Sequence, residues 1–164
     1  MHCNTSMIAS STGILKETQA MECSIKWVTG GAGQDGMSFV AETGSGHAFV
    51  MDGAPEGGGR NLGPRPMETV LAGTGGCTAY DVVLILRKSG QQITGCEVKV
   101  EADRAETDPK VFTRIHMHFI VRGKDLKTSL VESAIKLSYN KYCSATAMLG
   151  KTASITHDYE IVAE

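Results

Sequence analysis

The chain has 164 residues, 41% hydrophobic, 21% charged and only 5% aromatic, and Lys+Arg 16 against Asp+Glu 18 leaves a net charge of -2. That length suits one ordinary domain with a core of its own, and so balanced a charge gives no electrostatic footprint for nucleic acid or an anionic membrane. The longest uninterrupted apolar run, Val82 to Leu86, falls far short of the roughly 18 residues of a membrane span, so a soluble protein is expected.

Residues 1–22 are polar and mixed, with no sustained period of 2 or 3.6. They lack the basic start, apolar stretch and small-residue cleavage site of a secretory signal. A disordered or loosely docked extension is expected there, and Cys3 is given no role. Residues 23–164 read as a single domain.

Ser24–Val28, Met37–Ala41 and His47–Met51 are short stretches rich in β-branched or aromatic residues, separated by glycine-rich segments. Such punctuation predicts an antiparallel meander. The run Gly30-Gly31-Ala32-Gly33 reads as a hairpin turn, because it lacks the strand-to-helix context and the lysine of a phosphate-binding loop. Asp52 to Pro66 holds three of the four prolines and a run of glycines, which predicts a surface loop of the functional or mobile kind.

Between Met67 and Lys88 the pattern changes. Val70, Leu71, Cys77 and Val82 to Leu86 form an apolar body that no single stripe contains, which predicts a helix buried on most sides. Gly73, Gly75 and Gly76 lie inside it, each costing about 1 kcal/mol relative to alanine, so another backbone or a ligand is expected close by. Gly90 closes the helix.

Ile93–Glu101 and Val111–Arg122 both alternate apolar and polar residues, and Asp108-Pro109 lies between them; a hairpin of two half-buried strands follows. Asp125 is the candidate N-cap of a second helix, carrying Leu126, Leu130, Val131, Ala134, Leu137 and Ser138 at helical spacing and ending near Asn140. Ser144 then caps a short helix through Leu149, and Ser154–Val162 forms a last strand. The order predicts an α+β fold, with helices against antiparallel sheets and no internal repeat.

The cysteines carry the chemical question. An odd count of five, without CxxC and widely spaced, resembles neither a disulfide framework nor a zinc site. A reducing, cytoplasmic setting is expected, in which most cysteines pack and two are chemical. Cys77 stands in Gly-Gly-Cys-Thr-Ala, sharing an ideal helix face with Thr74 and Asp81. It reads either as a buried structural cysteine or as a thiol opened to close approach by its glycines. Cys143 precedes the short helix; it reads either as a gap filler or as a sulfur at the positive end of a helix dipole, with Lys141 nearby. His116 and His118 form an HxH with no third metal ligand at a convincing spacing, and Arg114 and Arg122 share their face. A solvated sheet face is expected there, and His47 and His157 are isolated.

Taken together, the run from Pro66 to Val82 around Gly75-Gly76-Cys77 and the later Lys141-Tyr142-Cys143-Ser144 resemble the OsmC/Ohr family of thiol peroxidases, in its OsmC-like branch. The resemblance covers about Lys26 to Val162. It implies an α+β fold with a central helix, an intertwined homodimer, no cofactor and no metal. It further implies Cys77 as peroxidatic and Cys143 as resolving residue, organic hydroperoxides as substrates and a dithiol, lipoyl-type protein as reductant. The family's peroxidases use an early-strand arginine beside the thiolate, whereas Thr29–Gly36 contains none, leaving Arg60 and Arg65 as candidates in its place. The glutamate that partners that arginine follows the proline directly, where this chain has Met67; Glu68 comes one residue later and on an ideal helix points away from Cys77. Two other readings stand beside the peroxidase: an OsmC-fold redox sensor or small-ligand binder without efficient turnover, and a metal-binding protein using Cys77, Cys143 and a histidine.

Overall fold

The computed structural model describes residues 21–28 and 36–164. The expected extension over residues 1–20, Cys3 and the glycine turn at 29–35 lie outside the described residues.

Strands β1 (Cys23–Val28), β2 (Ser38–Thr43) and β3 (Ala48–Asp52) form the predicted antiparallel meander, pairing Val28 with Ser38 and Ser38 with Asp52 at one end. Helix α1 (Pro66–Lys88) follows, then β4 (Gln92–Arg104), β5 (Phe112–Lys124), α2 (Thr128–Leu137), α3 (Ser144–Leu149) and β6 (Ser154–Ala163). The second sheet has β5 at its centre, between β4 and β6. Apolar residues from its inner face, including Ile115, Met117, Phe119 and Val121, pack with Val82 and Leu86 of α1 and Val131, Ala134 and Ile135 of α2. This is the mixed α+β architecture the element order predicts.

Four features differ from the sequence expectations. First, β6 runs parallel to β5, pairing Ile115 with Ile155 and Val121 with Ile161, so the second sheet is mixed rather than antiparallel. The α2–α3 segment carries the chain back to the start of β5, and parallel neighbours require a crossover of this kind.

Second, the Asp52–Pro66 segment is organised rather than loose. Asp52 is fully buried and its carboxylate accepts backbone N–H bonds from Gly53 (2.8 Å), Arg60 (3.0 Å) and Leu62 (3.0 Å). These donors, that of Leu62 foremost, hold the carboxyl below its usual range. A 3-10 turn at Pro55–Gly57 tightens the segment further.

Third, α2 begins at Thr128 with Lys127 as its N-cap, while Asp125 takes a left-handed conformation in the preceding turn (φ 49°). Asp is one of the few residues that tolerate that region, so it serves the turn rather than the cap.

Fourth, α1 buries only a stripe in this chain: Thr74, Gly75, Thr78, Val82 and Leu86. Val70, Tyr80 and Leu84 remain 42%, 69% and 37% exposed. Gly75 does meet a neighbour, since a Cβ there would lie 3.0 Å from Val100, but Gly73 and Gly76 face open space among the described residues. Over its most apolar window of 18 residues α1 has a mean hydropathy of 1.5 and is 28% buried, so by length and composition it is apolar enough to cross a membrane. No long uninterrupted apolar run marks this helix, because Ala, Gly, Thr and Cys dilute the large apolar residues without adding charge. α1 therefore carries more apolar surface than the described residues cover.

Candidate functional site

Cys77 and Asp81 stand four residues apart on α1, which puts them on one face of the helix. Cys143 reaches the same place from the other side of the sequence. After Leu137 the chain widens into a π-turn, Ser138–Tyr142, and then narrows into α3. Cys143 itself is the N-cap of α3, with Ser144 as its first helical residue. The sequence expectation gave the cap to Ser144; in the structure α3 starts one residue earlier, with the Cys143 carbonyl accepting the Ala147 N–H at 3.2 Å. One donor atom each from Cys77, Asp81 and Cys143 lies within 4.8 Å of the other two.

Ser138 holds this group together. Its side chain has no exposure. Its hydroxyl donates to Asp81 Oδ2 at 3.0 Å and pairs with the buried Thr78 hydroxyl at 2.9 Å, while its backbone carbonyl accepts the Cys143 N–H at 2.9 Å. Thr146 Oγ1 donates to the Cys143 carbonyl at 2.9 Å. The turn bearing Cys143 is thus fastened to α1 by buried hydrogen bonds, which are costly to break without a replacement.

The two sulfurs differ in access: Cys143 is 2% exposed, whereas Cys77 is half-buried. Burial pushes the Cys77 thiol up, and the adjacent Cys143 thiol and the Asp81 carboxylate push the same way. Only the backbone N–H of Ala145, in the first turn of α3, acts in the opposite sense. No cation is among the groups acting on Cys77 among the described residues.

The remaining sequence candidates lie elsewhere. Arg65 is the N-cap of α1, and its backbone N–H bonds Glu68 Oε2 at 2.9 Å while its guanidinium lies 3.5 Å from Glu68 Oε1. Glu68 therefore caps the start of α1 by accepting the Arg65 N–H, and the two side chains pair over the first turn. Arg60 sits in the loop around Asp52, its side chain beside Gly36. The open groove between α1 and β4 is lined by Glu68, Leu71, Ala72, Gly75, Gly76, Ala79, Val98 and Val100, and Cys77 is not part of its lining.

His116 and His118 lie on the outer face of β5, where His118 Nδ1 is 2.6 Å from Asp158 Oδ1 and His116 Nδ1 is 2.8 Å from Thr156 Oγ1. His157 is half-buried against Tyr139, and burial pushes its imidazole down. None of the three joins the cysteine group. Cys96 is half-buried against the core and Cys23 is exposed.

The family model for OsmC, "OsmC-like protein", matches residues 57–158, which span α1, both strands of the β4–β5 hairpin and both cysteines of the group. The chain belongs to the OsmC family. This OsmC-family chain is 46% identical over 143 residues to the protein YhfA of Escherichia coli strain K12, covering 87% of the chain and 99% of YhfA. In fold it is similar to a hypothetical protein from Aquifex aeolicus, with 24% identity, a TM-score of 0.75 and coverage of 89% of this chain and 98% of that one. It is similar as well to the organic hydroperoxide resistance protein OsmC of Legionella pneumophila, with 13% identity, a TM-score of 0.60 and coverage of 87% and 98%.

Sequence reasoning missed Ser138, Thr78 and the Ala145 N–H as parts of this OsmC-family site. Ser138 had been assigned to the buried face of α2 by helical spacing. The only available signal was the break in that spacing between Ser138 and Cys143.

Proposed function

We propose that this OsmC-family protein is a thiol peroxidase acting on organic hydroperoxides. The observation that carries the reading is the pairing of a half-buried Cys77 with a buried Cys143 across 4.8 Å or less. In the reaction, the Cys77 thiolate attacks the peroxide: an S–O bond forms, the O–O bond breaks, and the alkoxide leaves as alcohol after taking a proton. Cys77 is left as a sulfenic acid. The Cys143 thiolate then attacks that sulfur and the S–O bond breaks, hydroxide leaving as water after taking the proton the Cys143 thiol gave up; the Cys77–Cys143 disulfide that results is reduced by a lipoyl-type dithiol through exchange. The two sulfurs lie within 4.8 Å of each other and must close to about 2.05 Å to bond. The name of the Legionella neighbour, an organic hydroperoxide resistance protein, supports the choice of substrate class.

We further propose that the active form is a homodimer. Among the described residues, the apolar face of α1 around Val70, Tyr80 and Leu84 is uncovered, as is the β1–β3 sheet, where Ile25, Trp27 and Phe49 are 40% or more exposed. Surfaces of that kind mark subunit interfaces. The net charge of -2 gives no footprint for nucleic acid, and a cytoplasmic setting belongs to the same proposal.

The test is turnover of cumene hydroperoxide with lipoamide as reductant. Cys77→Ser should abolish it, and Cys143→Ser should let a dimedone-reactive sulfenic acid accumulate on Cys77. Undiminished turnover by Cys77→Ser overturns the reading. That no cation among the described residues acts on Cys77 favours one second reading, an OsmC-fold redox sensor or small-ligand binder without efficient peroxidase activity. Alkylation of Cys77 at the rate of a simple thiol, with the dithiol still oxidisable, would select it.

A further inference from the structure

The group that joins the two cysteines also contains a carboxylate, which disulfide chemistry by itself does not require. We propose that the reduced protein binds a zinc ion through Cys77 Sγ, the Asp81 carboxylate and Cys143 Sγ, with one coordination position left open to solvent or a small anion.

The geometry supplies three donors that already converge. One ligand atom of each residue lies within 4.8 Å of the other two. A tetrahedral zinc ion with bonds of about 2.3 Å to sulfur and 2.0–2.2 Å to oxygen holds its donors about 3.5–3.8 Å apart, so a contraction of roughly an ångström closes the site. Rotation of the half-buried Cys77 and Asp81 side chains provides it, since Cys143 is the fixed member. Two thiolates and one carboxylate form a borderline-soft set that suits zinc, whereas magnesium and calcium take oxygen donors alone.

Charge and the surrounding hydrogen bonds point the same way. Three groups that become anionic on ligation meet here, and among the described residues no cation is among the groups acting on Cys77. A divalent ion converts their mutual repulsion into attraction. The Asp81 carboxylate is oriented by the buried Ser138 hydroxyl at Oδ2, which leaves Oδ1 for the metal. Outer-shell partners of this sort are a regular feature of metal-ligating carboxylates. The sequence-based metal reading looked to a histidine for the third ligand; the fold supplies Asp81 instead. With three protein ligands and an open position, the site fits exchangeable zinc rather than a closed structural ion. Zinc and hydroperoxide then compete for the same sulfur, although the zinc site rests on geometry alone and not on the peroxidase reading.

The full chain, reduced with a phosphine and freed of metal, is titrated with zinc sulfate against a chromophoric chelator, and in a second sample with cobalt(II) chloride. One zinc per chain and intense sulfur-to-cobalt charge-transfer absorption are expected. Cys77→Ser, Asp81→Asn and Cys143→Ser should each weaken zinc binding by about tenfold or more, and Ser138→Ala by about tenfold, while Cys96→Ser leaves it unchanged. Diamide removes two protons and two electrons from the cysteine pair and is itself reduced to the hydrazine. The resulting disulfide form should bind no zinc, a measurement that needs no variant. Unchanged zinc affinity in Cys77→Ser or in the disulfide form, or a cobalt spectrum without the thiolate bands, overturns the site. Failure of the peroxidase reading is seen separately, as reduced, metal-free protein that leaves cumene hydroperoxide unconsumed.

Discussion

Replacing Ser138 with alanine tests whether one hydroxyl fastens the Cys143 turn to α1. The side chain has no exposure and makes three contacts: 2.9 Å to the Thr78 hydroxyl, itself 1% exposed, 3.0 Å to Asp81 Oδ2, and a long 3.5 Å to the Thr78 carbonyl. A neutral buried bond contributes about 1 kcal/mol net and one to an ionised acceptor about 1.5–3 kcal/mol. Asp81 is half-buried, so water replaces part of the second bond and its lower limit applies. Ser138→Ala should therefore cost about 2–3 kcal/mol, equivalent to roughly 4–12 °C in melting temperature for a chain of this size. Urea denaturation at fixed protein concentration, followed by far-UV circular dichroism, measures it. Thr78→Val combined with Ser138→Ala should cost less than the two single changes added together, with a coupling of about 1 kcal/mol. A cost below about 0.5 kcal/mol, the range of ordinary surface substitutions, together with no coupling, would refute the argument.

Asp52 predicts a pH dependence. Its folded-state acidity is strengthened by the N–H donors of Leu62, Arg60 and Gly53, so its stabilisation is present above the unfolded value of about 4 and is lost as the pH falls through the lower folded value. The urea midpoint of Asp52→Asn should be lower than that of the parent at neutral pH, and the gap should narrow on acidification; a constant gap would contradict the assignment. Asp81→Asn removes an anion that, after burial and Cys143, pushes the Cys77 thiol up. Iodoacetamide should then modify Cys77 faster at neutral pH, and an equal or slower rate would remove Asp81 from the account. At Gly63 a Cβ would lie 2.6 Å from the Val50 carbonyl oxygen, so Gly63→Ala should cost about 1–3 kcal/mol by overpacking, and an unshifted denaturation curve would count against that contact.

Much of the fold is legible because alternation and helical spacing are local signals. The inward Ile115, Met117, Phe119 and Val121 follow from period 2 alone, and the Asp108-Pro109 turn signal identifies the β4–β5 hairpin. Strand direction is not local, and nothing in Ser154–Val162 distinguishes a parallel from an antiparallel neighbour. The Asp52 loop shows the same limit. Its prolines and glycines read correctly as irregular backbone, but a carboxylate satisfied entirely by backbone donors leaves no partner side chain to find in the sequence. At the site, Asp81 was legible by its four-residue spacing from Cys77. Cys143 and Asp81 could not be joined by any spacing argument, because their meeting depends on how α2 packs on α1 and on a π-turn that periodicity does not encode.

Glu68 and Arg65 illustrate why residue type and nearby position do not suffice. Both were candidates to act on Cys77, yet the start of a helix offers unsatisfied N–H groups; Glu68 accepts the N–H of the Arg65 N-cap three residues before it, and the Arg65 guanidinium pairs with the same carboxylate. The thiol is thereby left without either charge. Its surroundings are also incomplete in another way. At 100° per residue, Val70, Gly73, Tyr80 and Leu84 fall on the same side of α1 as Cys77, and that side is the one this chain leaves open. A second subunit laid along α1, as proposed above, covers the stripe and the flank of the sulfur at once. Dimer formation and the environment of Cys77 are then one problem: Gly73, unlike Gly75, meets no described neighbour and faces the side where the proposed partner would lie.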